Sequence, residues 1–327
     1  MSKNVLITGG AGYVGSMLVP SLLEEGFTVT VVDLMIYGED VLPKHPNLKV
    51  YRLDIRDINK LSQLLVKQNI VIHLACISND PSFELNPELG KSINLDAFEP
   101  MVKAAKGTGV ERFIYASSSS VYGIKDVEDV SEDMSLEPLT DYSKFKAQCE
   151  MILNNYSSDD FTTTTIRPAT VCGYAPRQRL DVVMNIFANN AYHKKEISVF
   201  GGSQLRPNIN IKDMVRAYHA VIDAEKEVVN KNIYNVGDKN FTVLELAKMT
   251  KEVIGDDVSL VQTESNDNRS YHVSSKKILK DLGFKPENPL KEAIIDLKVA
   301  FESGLLDDPL NNPKYYNIKT MQKINLK

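Results

Sequence analysis

Histidine is scarce in this chain. The five present, at positions 45, 73, 193, 219 and 272, form no ligand spacing, so no metal centre is expected. Cysteine is scarcer still: Cys76, Cys149 and Cys172 are odd in number and far apart, with no Cys-x-x-Cys. That excludes a disulfide framework and points to free thiols in a reducing compartment. There is no excess of positive charge. Thirty-eight Lys and Arg stand against 43 Asp and Glu, for a net charge of −5. Broad contact with nucleic acid or an anionic membrane is therefore disfavoured, and any phosphate must be met by a few placed cations. No apolar run is long enough to span a membrane, and the chain enters an apolar strand directly after its first four residues. A cytoplasmic protein without a signal peptide is expected. Internal repeats and low-complexity tracts are also missing. The 327 residues suffice for one large domain or two unequal ones.

What is present is concentrated first in residues 4–33. A short apolar run, Val5-Leu6-Ile7, meets Thr8 and then glycines at Gly9, Gly12 and Gly15, with Tyr13 and Val14 between the last two. A helical stretch follows to about residue 25, and a second apolar run ends in Asp33. This is a strand, a glycine turn, a helix, a strand and a terminal carboxylate, the order that a dinucleotide site requires. Gly9 can adopt backbone angles closed to other residues, Gly12 admits a pyrophosphate, and Gly15 lets the helix lie close on the sheet. The helix N-terminus offers its unpaired N–H groups to the phosphates. Asp33 is placed to accept hydrogen bonds from the adenosine ribose and to repel a 2′-phosphate. No Arg or Lys occurs in the ten residues after it, so NAD is favoured over NADP.

The pattern continues as strand and helix in alternation. Residues 49–53 form a strand ending at Asp54, which with Ile55 is placed to touch the adenine ring. A helix at 58–68 leads to the unbroken apolar run 70–75, a buried parallel strand. Leu74 and Ala75 at its end leave room for the cofactor, and His73 reads as a packing residue. Residues 76–90, with Pro81 and Pro87, are too irregular for an element and follow a strand carboxyl end, where open α/β sheets bind ligands. Asn94 opens a helix at 93–107, and a strand at 112–116 runs into four serines at 117–120. Residues 126–138 form an acidic, solvated loop. A helix capped by Thr140 or Asp141 carries Tyr142 and Lys146 four residues apart, hence on one face. A strand at 162–168 ends in Arg167-Pro168. Beyond it the alternation loosens: helices are expected to about 192, at 242–254 and at 275–282, with short strands at 197–200, 206–211 and 233–236. The reading is an α/β protein with a doubly wound parallel sheet and a smaller mixed α/β C-terminal part.

With the glycine turn, Ser118, Tyr142-x-x-x-Lys146 and Arg167-Pro168 all in order, the chain resembles the extended short-chain dehydrogenases/reductases acting on nucleotide sugars. The resemblance covers nearly the whole chain. It implies a Rossmann-type NAD domain at 1–168 with a later contribution from about 207–238, and a nucleotide-sugar domain at 169–206 and 239–327. It makes Tyr142 the catalytic base and acid, Lys146 its electrostatic partner and ribose ligand, and Ser118 a hydrogen-bond donor to the reacting oxygen. A free tyrosine, with a pKa of about 10, needs such cationic help to act near neutrality. Asn94 and Pro168 join the cofactor set with the residues above. Arg206 and Arg269 match arginines that neutralise a substrate pyrophosphate, and Arg179 and Asn185 are candidates for nucleotide contact. A homodimer through the helices at about 93–106 and 142–155 is also implied.

Two departures narrow the reaction. The 4,6-dehydratases carry an Asp-Glu pair directly after the serine or threonine, where this chain has Ser119 and Ser120, so elimination of water is disfavoured. The galactose epimerases carry a lysine where Ser78 stands, and the run from Ser78 and Asn79 to Phe83 is unlike theirs. The resemblance thus favours a 4-epimerase on a nucleoside-diphosphate sugar. A C4 dehydrogenase (the run 176–181 resembles heptose-nucleotide enzymes), a 4-ketoreductase and an NAD-sensing regulator without catalysis remain as alternatives.

Overall fold

The computed structural model describes residues 3–125, 127, 129–264 and 272–324. Twelve strands follow in chain order: β1 (Asn4–Thr8), β2 (Thr28–Asp33), β3 (Leu48–Arg52), β4 (Ile70–His73), β5 (Arg112–Ala116), β6 (Thr162–Pro168), β7 (Thr170–Cys172), β8 (Glu196–Phe200), β9 (Leu205–Asn210), β10 (Asn232–Val236), β11 (Asn240–Thr242) and β12 (Ser259–Thr263). Seven of them form one parallel sheet in the order β10-β6-β5-β4-β1-β2-β3. The order reverses between β1 and β4, which opens a crevice beyond their carboxyl ends.

Period-two side-chain alternation divides this sheet between two cores. Val5, Ile7, Ile70, Ile72, Ile114 and Ile166 face the helices Gly15–Glu24 and Ile211–Asp223, through Leu18, Leu22, Met214, Val221 and Ile222. Leu6, Val71, Phe113 and Tyr115 face the helices Ile58–Leu65, Phe98–Gly107 and Asp141–Tyr156, through Leu61, Phe98, Met101 and Leu153. Both faces are covered, which is why β4 reads as an unbroken apolar run. A third core joins the helices Val183–Lys194, Val243–Ile254 and Leu290–Glu302 to β8 and β12. Those two strands pair in parallel, while β7 and β11 flank β9. No helix among the described residues is long and apolar enough to cross a membrane.

Four local expectations change. Residues 76–90 are not irregular throughout: they hold two short helices, Asp80–Glu84 and Pro87–Lys91. Asn79 and Asn86 cap them by accepting from Ser82 N and Leu89 N at 3.0 and 3.1 Å, and the prolines sit in the first turns, where no N–H is needed. The helix expected at 93–107 begins as a π turn, Ser92–Asp96, and only then becomes Phe98–Gly107, with Pro100 in its first turn. The acidic loop is not wholly solvated. Val130 is buried, and Glu132 accepts the Asn235 N–H at 2.7 Å. Strand β12 and the helices Leu290–Glu302 and Asn317–Ile324 are additions to the expected elements, although Leu290, Ala293, Ile294, Leu297 and Phe301 fall at helical spacing in the sequence.

Two buried polar arrangements hold the sheet. Arg167, at the end of β6, does not face the crevice. It forms a bidentate pair with Glu150, with Nη2 to Oε2 at 2.6 Å, and its Nη1 donates to the Tyr122 hydroxyl at 2.6 Å. Burial alone pulls this guanidinium down, but the Glu150 and Tyr122 contacts outweigh it and leave it above its ordinary value. Ser117 also donates to Glu150. On the adjacent strands, Thr8 and His73 are register partners, and the Thr8 hydroxyl lies 2.6 Å from His73 Nδ1. Burial, with the Lys146 charge behind it, pushes His73 down to about 3, so the ring is neutral and packs on Tyr115.

Glu150→Ala should therefore lower unfolding free energy by about 3–5 kcal/mol in urea titrations, because it strands the Arg167 charge in the interior. His73 gives a pH test. Between its ordinary value of 6.5 and about 3 the unfolded chain binds a proton that the folded chain excludes, so stability falls as pH drops through that window. His73→Gln should flatten the fall of the unfolding free energy from urea titrations between pH 6.5 and 4.5 by up to about 1.4 kcal/mol per pH unit.

Candidate active site

The crevice is a cavity of about 470 Å³ that runs past the carboxyl ends of β1, β2, β4, β5 and β6. At its centre is the glycine turn. Gly9 has φ +74°, and a Cβ there would lie 2.5 Å from the Ala75 nitrogen, so the turn presses directly on the chain leaving β4. A Cβ on Gly15 would lie 2.5 Å from the Gly10 oxygen. Its missing side chain thus serves closure of the turn itself, rather than the helix–sheet packing expected of it. Gly12, Tyr13 and Val14 line the cavity beside them.

At one end the carboxylate of Asp33 accepts from Ala11 N at 3.0 Å and Met35 N at 2.8 Å. Burial raises its pKa, and these two bonds and the Arg177 charge act against that rise. Each carboxylate oxygen keeps lone-pair capacity for a further donor. Asp54, Ile55, Leu74 and Ala75 line the walls nearby, with Leu34, Ile36 and Tyr37.

At the other end stand Ser118, Ser119, Ser120, Tyr142 and Lys146. Thr140 caps the helix Asp141–Tyr156 reciprocally with Ser143, fixing the first turn on which Tyr142 sits. Burial pushes the Tyr142 phenol up, Cys76 and Asp80 add to the rise, and Arg179 and a hydrogen bond with Ser118 oppose it. Lys146 is buried, donates to the Ala116 carbonyl at 2.6 Å and stands 5.8 Å from the Tyr142 ring centroid. Two cations, one on the same helix face and one from the loop after β7, are thus disposed about one phenol. The Ser118 hydroxyl lies 2.8 Å from that of Ser120 and accepts the Ser120 N–H at 3.1 Å.

Most of the residues expected from sequence meet in this one cavity, including Pro168, Ser78, Asn79, Arg179 and Arg206. Two do not. Asn94 spends its amide on Ile77, accepting from N and donating to O at 2.9 Å each, and so pins the chain after β4 instead of lining the cavity. Asn185 is fully buried: it donates to the Tyr13 hydroxyl at 3.0 Å and the Arg179 carbonyl at 2.7 Å, and accepts from Gly173 N at 3.0 Å. It supports the wall from behind. Arg269 lies outside the described residues. The cavity also takes in residues to which the sequence assigned no role: Tyr37, Asp80, Arg177, Asn317 and Met321. Asn317 and Met321 come from a helix more than 170 residues after Tyr142, and no local pattern marks them.

The site fits a dinucleotide: a turn with no room for side chains, a helix N-terminus and a carboxylate at the end of β2 follow one another along a single cavity. Comparison with known proteins agrees. The model of the NAD dependent epimerase/dehydratase family matches residues 5–237. The chain is 30% identical to the dTDP-D-glucose 4,6-dehydratase of Mus musculus over 316 residues, 90% of this chain and 87% of that protein. It is 26% identical to the UDP-glucose 4-epimerase of Lactobacillus helveticus, covering 89% and 94%. Among solved structures it resembles the UDP-glucose 4-epimerase of Thermotoga maritima with UDP-glucose (TM-score 0.84, 26% identity, 93% of this chain and 100% of that one). It also resembles MoeE5 in complex with UDP-glucuronic acid and NAD (TM-score 0.81, 28% identity, 92% and 99%). Fold, site and relatives agree: the chain is an NAD-dependent enzyme that belongs to the NAD-dependent epimerase/dehydratase family, of the extended short-chain dehydrogenase/reductase type.

Proposed function

We propose that this enzyme oxidises and re-reduces C4 of a nucleoside-diphosphate sugar, acting as a 4-epimerase. The observation that carries this reading is the convergence of Ser118, Tyr142 and Lys146 with the guanidinium groups of Arg179 and Arg206 in the cavity that holds the glycine turn. Bound NAD supplies a reversible two-electron acceptor beside the sugar carbon. Tyr142 Oη takes the proton of the C4 hydroxyl and later returns one to the ketone oxygen. Ser118 Oγ hydrogen-bonds that oxygen, Arg179 favours the phenolate against the burial that opposes it, and the Lys146 charge 5.8 Å from the ring centroid acts in the same sense. Arg206, with Arg269 by resemblance, meets the substrate diphosphate. Ser78, Asn79, Ser119 and Ser120 surround the sugar. Hydroxyls at Ser119 and Ser120 lack the acid and base that elimination of water needs, which supports epimerisation over dehydration.

On this reading residues 1–168 with about 207–238 hold NAD, and 169–206 with 239–327 hold the sugar nucleotide. The enzyme works in the cytoplasm as a homodimer paired through the helices Phe98–Gly107 and Asp141–Tyr156. The exposed Met151 on the second of these helices, and three free cysteines, support that setting.

Incubation with NAD and a panel of UDP-, GDP-, dTDP- and CDP-sugars tests the proposal. Mass spectrometry should find an isomer of unchanged mass, with no rise at 340 nm. Loss of two mass units with NADH formed would make the enzyme a C4 dehydrogenase, and loss of 18 would make it a dehydratase. Tyr142→Phe should cut turnover by about 10²- to 10⁴-fold while binding NAD as before. Unchanged turnover would remove Tyr142 from the chemistry.

A further inference from the structure

We propose that Arg177, which the sequence leaves without a role, is the cation that holds the diphosphate of the bound cofactor. The glycine turn and its helix carry no positive side chain: residues 9–25 contain neither Lys nor Arg. A dinucleotide diphosphate bears two negative charges, and there the turn and helix answer them with N–H dipoles alone. Arg177 arrives from the far half of the chain. Its own N–H donates to Ser16 Oγ at 3.2 Å, which sets its backbone against the first turn of that helix. The side chain lines the cavity yet is only 3% exposed.

Its surroundings are those of a charge awaiting a partner. The guanidinium stacks on Tyr37 at 3.6 Å from the ring centroid, and Nη2 donates to Asn317 Oδ1 at 2.5 Å. Nε is buried with no hydrogen-bond partner. Among the described residues no carboxylate forms an ion pair with it, although Asp33 and Asp181 are near enough to feel its charge. Compare Arg167, whose equally buried fork is filled by Glu150. An unpaired buried cation costs several kcal/mol, so one maintained beside a helix N-terminus is explained by an anion that completes it. Tyr37 and Asn317 fix the plane of the fork, which suits it to phosphate oxygens. Asn317 also donates to Ser78 Oγ at 2.8 Å, so the same residue joins the cofactor end to the loop beside the sugar. The role stands whichever sugar the enzyme turns over.

Calorimetric titration of the full chain with adenosine, ADP, ADP-ribose, NAD and UDP tests it. Arg177→Met should weaken ADP, ADP-ribose and NAD by about 10- to 100-fold, and leave adenosine and UDP within about twofold. Arg177→Lys keeps the charge but not the stacked fork, and should bind ADP-ribose more weakly than the native chain but several-fold more tightly than the methionine variant. This variant decides the matter if the methionine chain does not fold. Equal losses for adenosine and ADP-ribose would make Arg177 a packing residue and overturn the assignment. Loss of UDP with ADP-ribose retained would give it to the substrate diphosphate and overturn it equally. A lysine variant as weak as the methionine one would show that charge is not what it supplies.

Discussion

A backbone contact without space for a single carbon governs this molecule. Gly9 follows β1 directly, its N–H is accepted by Val32 at 2.8 Å, and its Cα faces the Ala75 nitrogen so closely that a Cβ would sit at 2.5 Å. The turn is thereby clamped between the ends of β2 and β4, at the place where the strand order reverses. Everything the site uses is delivered to that crevice: Asp33 by β2, Ala75 and Cys76 by β4, the serines by β5, Pro168 by β6. If the turn stood further out, β4 and β1 would still pair, but the floor of the cavity would be lost. Parallel pairing sets the directions of these strand ends, and the glycine sets their depth.

Into this crevice an acidic chain brings its cations, and their partners tell them apart. Arg167 is matched by Glu150 and roofed by Tyr122, so its charge is spent on joining β6 to the Asp141–Tyr156 helix. Arg179 is matched by Asp181 at 2.5 Å but still acts on Tyr142. Lys146 is held by one carbonyl and no carboxylate among the described residues. Arg177 has a ring, an amide and an unspent Nε. The two that no carboxylate pairs, Lys146 and Arg177, are the ones most available to a ligand, because an uncompensated interior charge is costly unless an anion or a developing anion completes it.

Sequence reading succeeded where the chemistry is local. Unbroken apolar runs marked β1 and β4, an acid closed β2, and four-residue spacing put Tyr142 and Lys146 on one helix face. It failed where a polar side chain has two equally ordinary uses. Asn94 and Asn185 both stand next to the cavity, but their amides are consumed by Ile77 and by Tyr13 and Gly173, and an asparagine does not announce which way it points. It failed again where proximity is created by the fold alone. The absence of Arg and Lys after Asp33 was a fair guide to the local chain, yet the fold sets Arg177 beside that carboxylate from 144 residues away. Proline misled in the opposite sense: Pro81 and Pro87 look like breakers, but each follows an asparagine cap and starts a helix.

Those two short helices bear on how the site holds a sugar. Their first residue, Asp80, accepts from Thr140 Oγ1 at 2.6 Å, and Thr140 is the cap of the helix that carries Tyr142. Two residues earlier, Ser78 accepts from Asn317, whose own N–H is accepted by Asp181 at 2.7 Å. Asn79 lies between them at φ +71°, a conformation costly to a residue with a Cβ. The loop is therefore fastened on one side to the proposed catalytic helix and on the other to the C-terminal helix, and the strained residue sits where the two attachments meet. Such a loop does not drift to suit its ligand. Under the proposed reading, a ketone that must turn over between two half-reactions does so against a fixed wall. The freedom an epimerase needs then belongs to the sugar, within a frame that the protein holds still.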